Sequence, residues 1–103
     1  MSFVIKQNNT SPSLLANLYD ADGVAVNLQG AEVYLRMKSL NTGSVVTKEA
    51  TVLPNNSVLY DWVVGDTANP GLYVCDFHVT YVDGATETFP NEGTFPINIT
   101  PSL

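Results

Sequence analysis

The chain has 103 residues, with ten Asp and Glu against four Lys and Arg and a formal net charge of −6. That length fits one domain with a single core, and an apolar fraction of 45% excludes a disordered chain. Lys6, Arg36, Lys38 and Lys48 are scattered and offer no basic stripe for nucleic acid; the acidic balance disfavours an anionic membrane, and no apolar run is long enough to cross a bilayer as a helix.

Eight or so short strands and no helix are predicted. Phe3–Gln7 alternates and forms the first strand, and the polar stretch from Asn8 to Pro12 turns the chain. Ser13–Tyr19 is the second strand. Asp20-Ala21-Asp22-Gly23 then reads as a hairpin, because Asp-Gly supplies positive φ, and a strand over Val24–Leu28 follows. Ala31–Lys38 places Val33, Leu35 and Met37 on one face and Glu32, Tyr34, Arg36 and Lys38 on the other, the period of a half-buried strand.

Asn41-Thr42-Gly43 closes a second hairpin into Ser44–Lys48. Thr51–Leu53 is read as a brief separate strand, stopped by Pro54. Ser57–Val63 puts Val58, Tyr60 and Trp62 on its inward face. Gly65–Gly71 is a loop. Leu72–Tyr81 is the longest strand, with Tyr73, Cys75, Phe77, Val79 and Tyr81 inward and Asp76 and His78 outward. Asp83-Gly84 turns into Ala85–Phe89, and Thr94–Thr100 is the last strand. Strands this short, with turn signals every eight to twelve residues and no βαβ alternation, predict an all-β antiparallel sandwich in one domain spanning 1–103. Trp62, Phe77 and Val79 are expected in its core.

Cys75 is the only cysteine and has no intrachain disulfide partner. The start Met1-Ser2-Phe3-Val4-Ile5-Lys6 lacks a basic segment followed by a long apolar one. Synthesis and use without export, in a reducing cytoplasm, are therefore expected.

Chemistry finds little footing. His78 is the only histidine, so a site needing two imidazoles is excluded within one chain. A Cys75–His78 nucleophilic pair fails because residues three apart on a strand point to opposite faces. Asp20, Asp22 and Gly23 share part of a calcium loop, but the twelfth position is Ala31 rather than Glu. The pairs Asp61 with Asp66 and Glu87 with Glu92 lack flanking residues that mark a sugar cleft. No catalytic residue, metal or cofactor is expected. Tyr34, Tyr60, Trp62, Tyr81 and Phe89 could form a platform for stacking on sugar, and this keeps a carbohydrate-binding or host-adhesion module as the alternative; the inward face of Tyr60 and Trp62 favours core packing.

Asn69-Pro70-Gly71-Leu72-Tyr73-Val74-Cys75 resembles the start of strand F in immunoglobulin-like domains, where a Tyr two residues before an inward Cys bonds back to the loop backbone. Pro70, Gly71, Tyr73 and Cys75 are the residues of that structural corner. Over nearly the whole chain, the sequence is similar to the N-terminal immunoglobulin-like module of the phage baseplate upper protein and its stand-alone relatives. The similarity is carried by the run from Ile5 to Pro12, by Leu18-Tyr19-Asp20-Ala21-Asp22-Gly23 and by Val26-Asn27-Leu28-Gln29-Gly30-Ala31. In the second half it is carried by Tyr60-Asp61-Trp62, Gly65-Asp66-Thr67, Pro70-Gly71-Leu72-Tyr73 and Thr88-Phe89-Pro90-Asn91-Glu92-Gly93. The resemblance implies an immunoglobulin-like virion structural protein of a tailed phage, docking on other virion proteins in a symmetric multi-copy assembly. Tail or baseplate follows the family, and a capsid-surface or neck position also suits a small acidic domain. Unpaired edges near Phe3–Gln7 and Ala85–Ile99 are the expected contact points.

Overall fold

Apolar alternation organises the chain into eight strands: β1 (Phe3–Lys6), β2 (Leu14–Asn17), β3 (Glu32–Ser39), β4 (Val45–Val52), β5 (Ser57–Tyr60), β6 (Gly71–Thr80), β7 (Thr86–Phe89) and β8 (Phe95–Thr100). A computed structural model describes residues 2–103, and no helix occurs among them. The strands make one hydrogen-bonded path, β1-β8-β6-β3-β4-β5-β2, with β7 also paired to β6.

The path folds into two layers because β4 changes partner along its length. Val45–Ala50 pairs with β3, and Thr51 and Val52 pair with β5. One layer is thus β1-β8-β6-β3-β4 and the other β4-β5-β2. β6 pairs on its second side with β8 over Gly71–Cys75 and with β7 over Phe77–Thr80. The chain between β7 and β8 therefore interrupts what is otherwise one edge of β6.

The core lies between the layers. Val33, Leu35 and Met37 from β3 meet Cys75, Phe77 and Val79 from β6 and Ile97 and Ile99 from β8, with Leu14, Ala16, Val58 and Tyr60 opposite. Phe77 and Phe95 stack with ring centroids 5.4 Å apart. Fully burying an aromatic or branched aliphatic side chain contributes about 1.5–3 kcal/mol, so these strands are held chiefly by what they cover.

The all-β sandwich is present, and four expectations need correction. The sandwich is not wholly antiparallel: β1 pairs with β8 in parallel, Phe3 opposite Ile97 and Lys6 opposite Thr100. β1 leaves its edge through a loop to β2 in the other layer, and such a crossover does not impose the reversal that a hairpin does. The strand over Val24–Leu28 is reduced to a single bridge between Tyr19 and Ala25. Leu28 is nonetheless fully buried, its N–H bonded to the Asn56 side chain at 3.1 Å, so it plugs the core from a loop. The strands expected over Ser44–Lys48 and Thr51–Leu53 are one strand, because Glu49 and Ala50 continue the ladder opposite Tyr34 and Val33. The strand expected to reach Val63 stops at Tyr60, where the chain turns so that the Val63 N–H meets the Asp66 carboxylate at 2.8 Å.

Candidate interaction surfaces

The corner before β6 is built on backbone geometry. Gly71 has φ +143, and a Cβ there would lie 2.8 Å from the Asn41 side-chain nitrogen. The left-handed half of φ space is open to glycine at little cost. From this start β6 aims Tyr73 so that its hydroxyl donates to the Asn69 carbonyl at 2.7 Å, across Pro70. Cys75, two residues on, is buried, and burial among apolar neighbours pushes its thiol up to about 12. His78 lies on the opposite face of β6, its Nδ1 3.3 Å from the Thr88 hydroxyl. Trp62, Phe77 and Val79 are buried, Trp62 being 5% exposed. The corner residues thus shape the entry to the longest strand and present no reactive group to solvent.

Beside the corner is a cleft of about 380 Å³ with Met37, Tyr60 and Trp62 among its lining and Lys48, Asp66, Asn69 and Tyr73 among its polar groups. Asp66 organises it. Its carboxylate accepts from the Tyr60 hydroxyl at 2.5 Å and from the Val63 N–H, and Lys48 Nζ lies 3.4 Å away. Burial works against the Asp66 charge, yet these donors hold its carboxyl below the usual range. Burial and the same contact push the Tyr60 hydroxyl up. Asp66, Tyr60 and Lys48 are thereby committed to one another. Trp62 packs edge-on to Tyr60 at 5.2 Å and beside Phe3 at 5.8 Å, and its Nε1 is buried without a hydrogen-bond partner. Tyr60, Trp62 and Phe89 are each at most 5% exposed, so they present no flat face on which a sugar ring could stack.

The remaining carboxylates named from sequence hold turns. Asp20 Oδ1 accepts from the N–H groups of Asp22 and Val24 at 2.9 and 3.0 Å, which ties the hairpin shut. Asp61 accepts from the Ser13 hydroxyl. Glu87 accepts from the Tyr81 hydroxyl and from Asn91, at 2.8 and 2.9 Å. Among the described residues, no three His, Cys, Asp or Glu side chains gather as a metal site.

The surfaces left open are edges and one sheet face. β1, β2 and the outer side of β7 have no further strand partner among the described residues, and unpaired N–H and C=O groups at an edge accept an added strand; β8, expected within an open edge over Ala85–Ile99, is instead paired on both sides, to β1 and to β6. The outer face of the larger layer is the second such surface. Near the Gly71 end of β6 the ladder sets Val4, Asn98 and Leu72 in one row and Pro96, Val74, Lys38 and Val45 in the next. Leu40 joins Leu72 through a backbone bond of 3.1 Å. Val4, Leu72, Val45 and Leu40 are all 45% exposed or more. Arg36 and Asp76 border these rows as a two-point ion pair, with contacts of 2.7 and 2.8 Å. The signal was available: outward positions of a strand carry apolar residues here, which the alternation of β6 and β4 displays but which single-strand reading assigns to ordinary surface.

No family model matches the chain, and no curated protein matches it. Among solved structures, the crystal structure of CopC from Methylosinus trichosporium OB3b is similar over 99% of this chain and 86% of that one, with a TM-score of 0.58 and 14% identity. That likeness establishes a β-sandwich class and goes no further than the fold.

Proposed function

We propose that the protein is a non-enzymatic structural component of a tailed-phage particle, made in the host cytoplasm and docking through its strand edges and sheet face on other virion subunits. The observation that carries this reading is the distribution of its surface: the Tyr73 hydroxyl at the corner, Asp66 with Tyr60 and Lys48 in the cleft and the carboxylates of the turns are spent on internal bonds, while edges and an apolar sheet face stay open among the described residues. A protein that works by being built into an assembly needs a rigid body and uncovered complementary patches, and not a preorganised reactive group. The resemblance to the baseplate upper protein's N-terminal module supports the particle as its setting, in the tail, baseplate, neck or capsid surface. Nucleic acid and membrane are not its partners in this reading, given a net charge of −6.

The alternative, a carbohydrate-binding or adhesion module, needs aromatic faces at the surface, and burial of Trp62 and Tyr60 weighs against it. The test is an antibody against the chain used on density-purified particles. Co-migration of the antigen with intact particles is expected. Antigen confined to the soluble fraction of the lysate overturns the proposal.

A further inference from the structure

The few positive charges are not spread evenly. Of the four Lys and Arg, Lys48 faces Asp66 in the cleft and Arg36 is held by Asp76. The remaining two, Lys6 and Lys38, stand on the outer face of the larger layer, beside exposed Val4, Leu72, Val45 and Leu40. Neither has a carboxylate within ion-pair distance among the described residues. A shallow depression of about 230 Å³ lies between Lys38, Arg36, Val45 and Val74.

The far end of the same molecule is the reverse. β6 runs from this patch to Thr80; at that end Glu32 opens β3 opposite Thr80, the turn after β6 carries Asp83, and the turn after β2, brought to the same end by the pairing of β2 with β5 and of β5 with β4, carries Asp20 and Asp22, with no Lys or Arg in either turn. Exposed apolar side chains stand in the same two turns: Val24 at 60% and Val82 at 83%. The turns are tied internally, since Asp20 accepts from the N–H groups of Asp22 and Val24 and Asp83 from the N–H of Ala85. The molecule measures 45 × 25 × 22 Å, so a basic, apolar patch and an acidic, apolar tip lie towards opposite ends of a rod.

We infer that the partner for this face is a second copy of the chain, whose acidic tip seats on the Lys6–Lys38 patch of the next. The inference rests on the assembly reading above and names its contact. Apolar centres supply the burial, and opposed charges set orientation and suppress patch-to-patch and tip-to-tip pairing. The contact is heterologous: each copy uses two different surfaces and leaves one of each free. Such contacts close into rings or continue as open strings, and the closed ring is the form compatible with a rotationally symmetric particle.

The experiment is sedimentation velocity of the full chain over a range of concentrations, at low and high salt, with Lys38→Glu and Asp83→Lys variants. Wild type is expected to gain mass with concentration at low salt and to lose it at high salt, where screening shortens the reach of charge. Each reversal alone is expected to weaken association about tenfold, and an equimolar mixture of the two variants is expected to restore association in alternating copies, because the reversed patch accepts the reversed tip and the unaltered tip of one variant still seats on the unaltered patch of the other. Lys6→Glu and Asp22→Lys serve as second variants, and unchanged Trp62 emission shows that each is folded. A monomer under all conditions overturns the inference. Association weakened by Lys38→Glu but untouched by both tip variants also overturns it, since that is a patch-to-patch dimer. Either of these results combined with antigen in purified particles refutes only this contact; self-association combined with antigen absent from particles refutes the virion reading instead.

Discussion

At the scale of single residues, the corner is the feature whose energetics are simplest to isolate. The Tyr73 hydroxyl makes one hydrogen bond to the Asn69 carbonyl, and one such bond contributes about 1 kcal/mol net. Tyr73→Phe is expected to lower stability by that amount in a denaturant titration, with an unchanged slope; a midpoint identical to wild type would show that the bond does not hold the corner. One buried and one partly buried acid give a second signature. The Cys75 thiol is pushed by burial from 9.0 to about 12, and the Tyr81 hydroxyl, by burial and by Glu87, from 10.0 to about 12. Because the folded chain holds these protons more tightly than the unfolded chain, their contribution is complete below pH 9 and is lost as pH rises towards 12. Unfolding midpoints measured from pH 8 upward should fall accordingly, and Cys75→Ala should remove the thiol's share of the fall while leaving the tyrosine share.

At the scale of elements, two ion pairs of similar appearance should differ in worth. Arg36 and Asp76 make a well-aligned bridge across β3 and β6, but the Arg36 side chain is 41% exposed, and solvent-screened pairs contribute about 0–1 kcal/mol. The Asp66 side chain is 9% exposed and receives the Tyr60 hydroxyl, the Val63 N–H and Lys48. Hydrogen bonds to a charged group contribute about 1.5–3 kcal/mol each. Asp66→Asn is therefore expected to cost more than Arg36→Met, measured by the same titration; equal losses would mean that the cleft network is not structural. Asp66 also shows what sequence reading reached and what it missed. The inward faces of β3, β5 and β6 were legible because period-2 alternation reports burial directly. The role of Asp66 was not, because its partners come from β4, from β5 and from its own loop. The parallel pairing of β1, the loop course of Leu28 and the passage of β4 between layers were hidden for the same reason: each is decided by contacts distant in the chain.

At the scale of the whole molecule, function follows from what the fold leaves uncovered. The rare residues that draw the eye in sequence, Trp62, Cys75 and His78, are divided between core and outer face and share no site. The exposed apolar positions show in the alternation of β4 and β6, but they become rows only when register places β1, β8, β6, β3 and β4 side by side. An acidic sandwich with one basic, apolar patch is suited to repeated docking, which is why copy number is more informative than presence alone. The central claim, that the chain is a multi-copy structural part of a phage particle, is tested most directly by quantitative mass spectrometry of purified virions with isotope-labelled peptides. A fixed number of copies per particle is expected, in whole-number proportion to a symmetric component of capsid or tail. A chain that is absent, or present at a level that varies between preparations and falls with further purification, would contradict it.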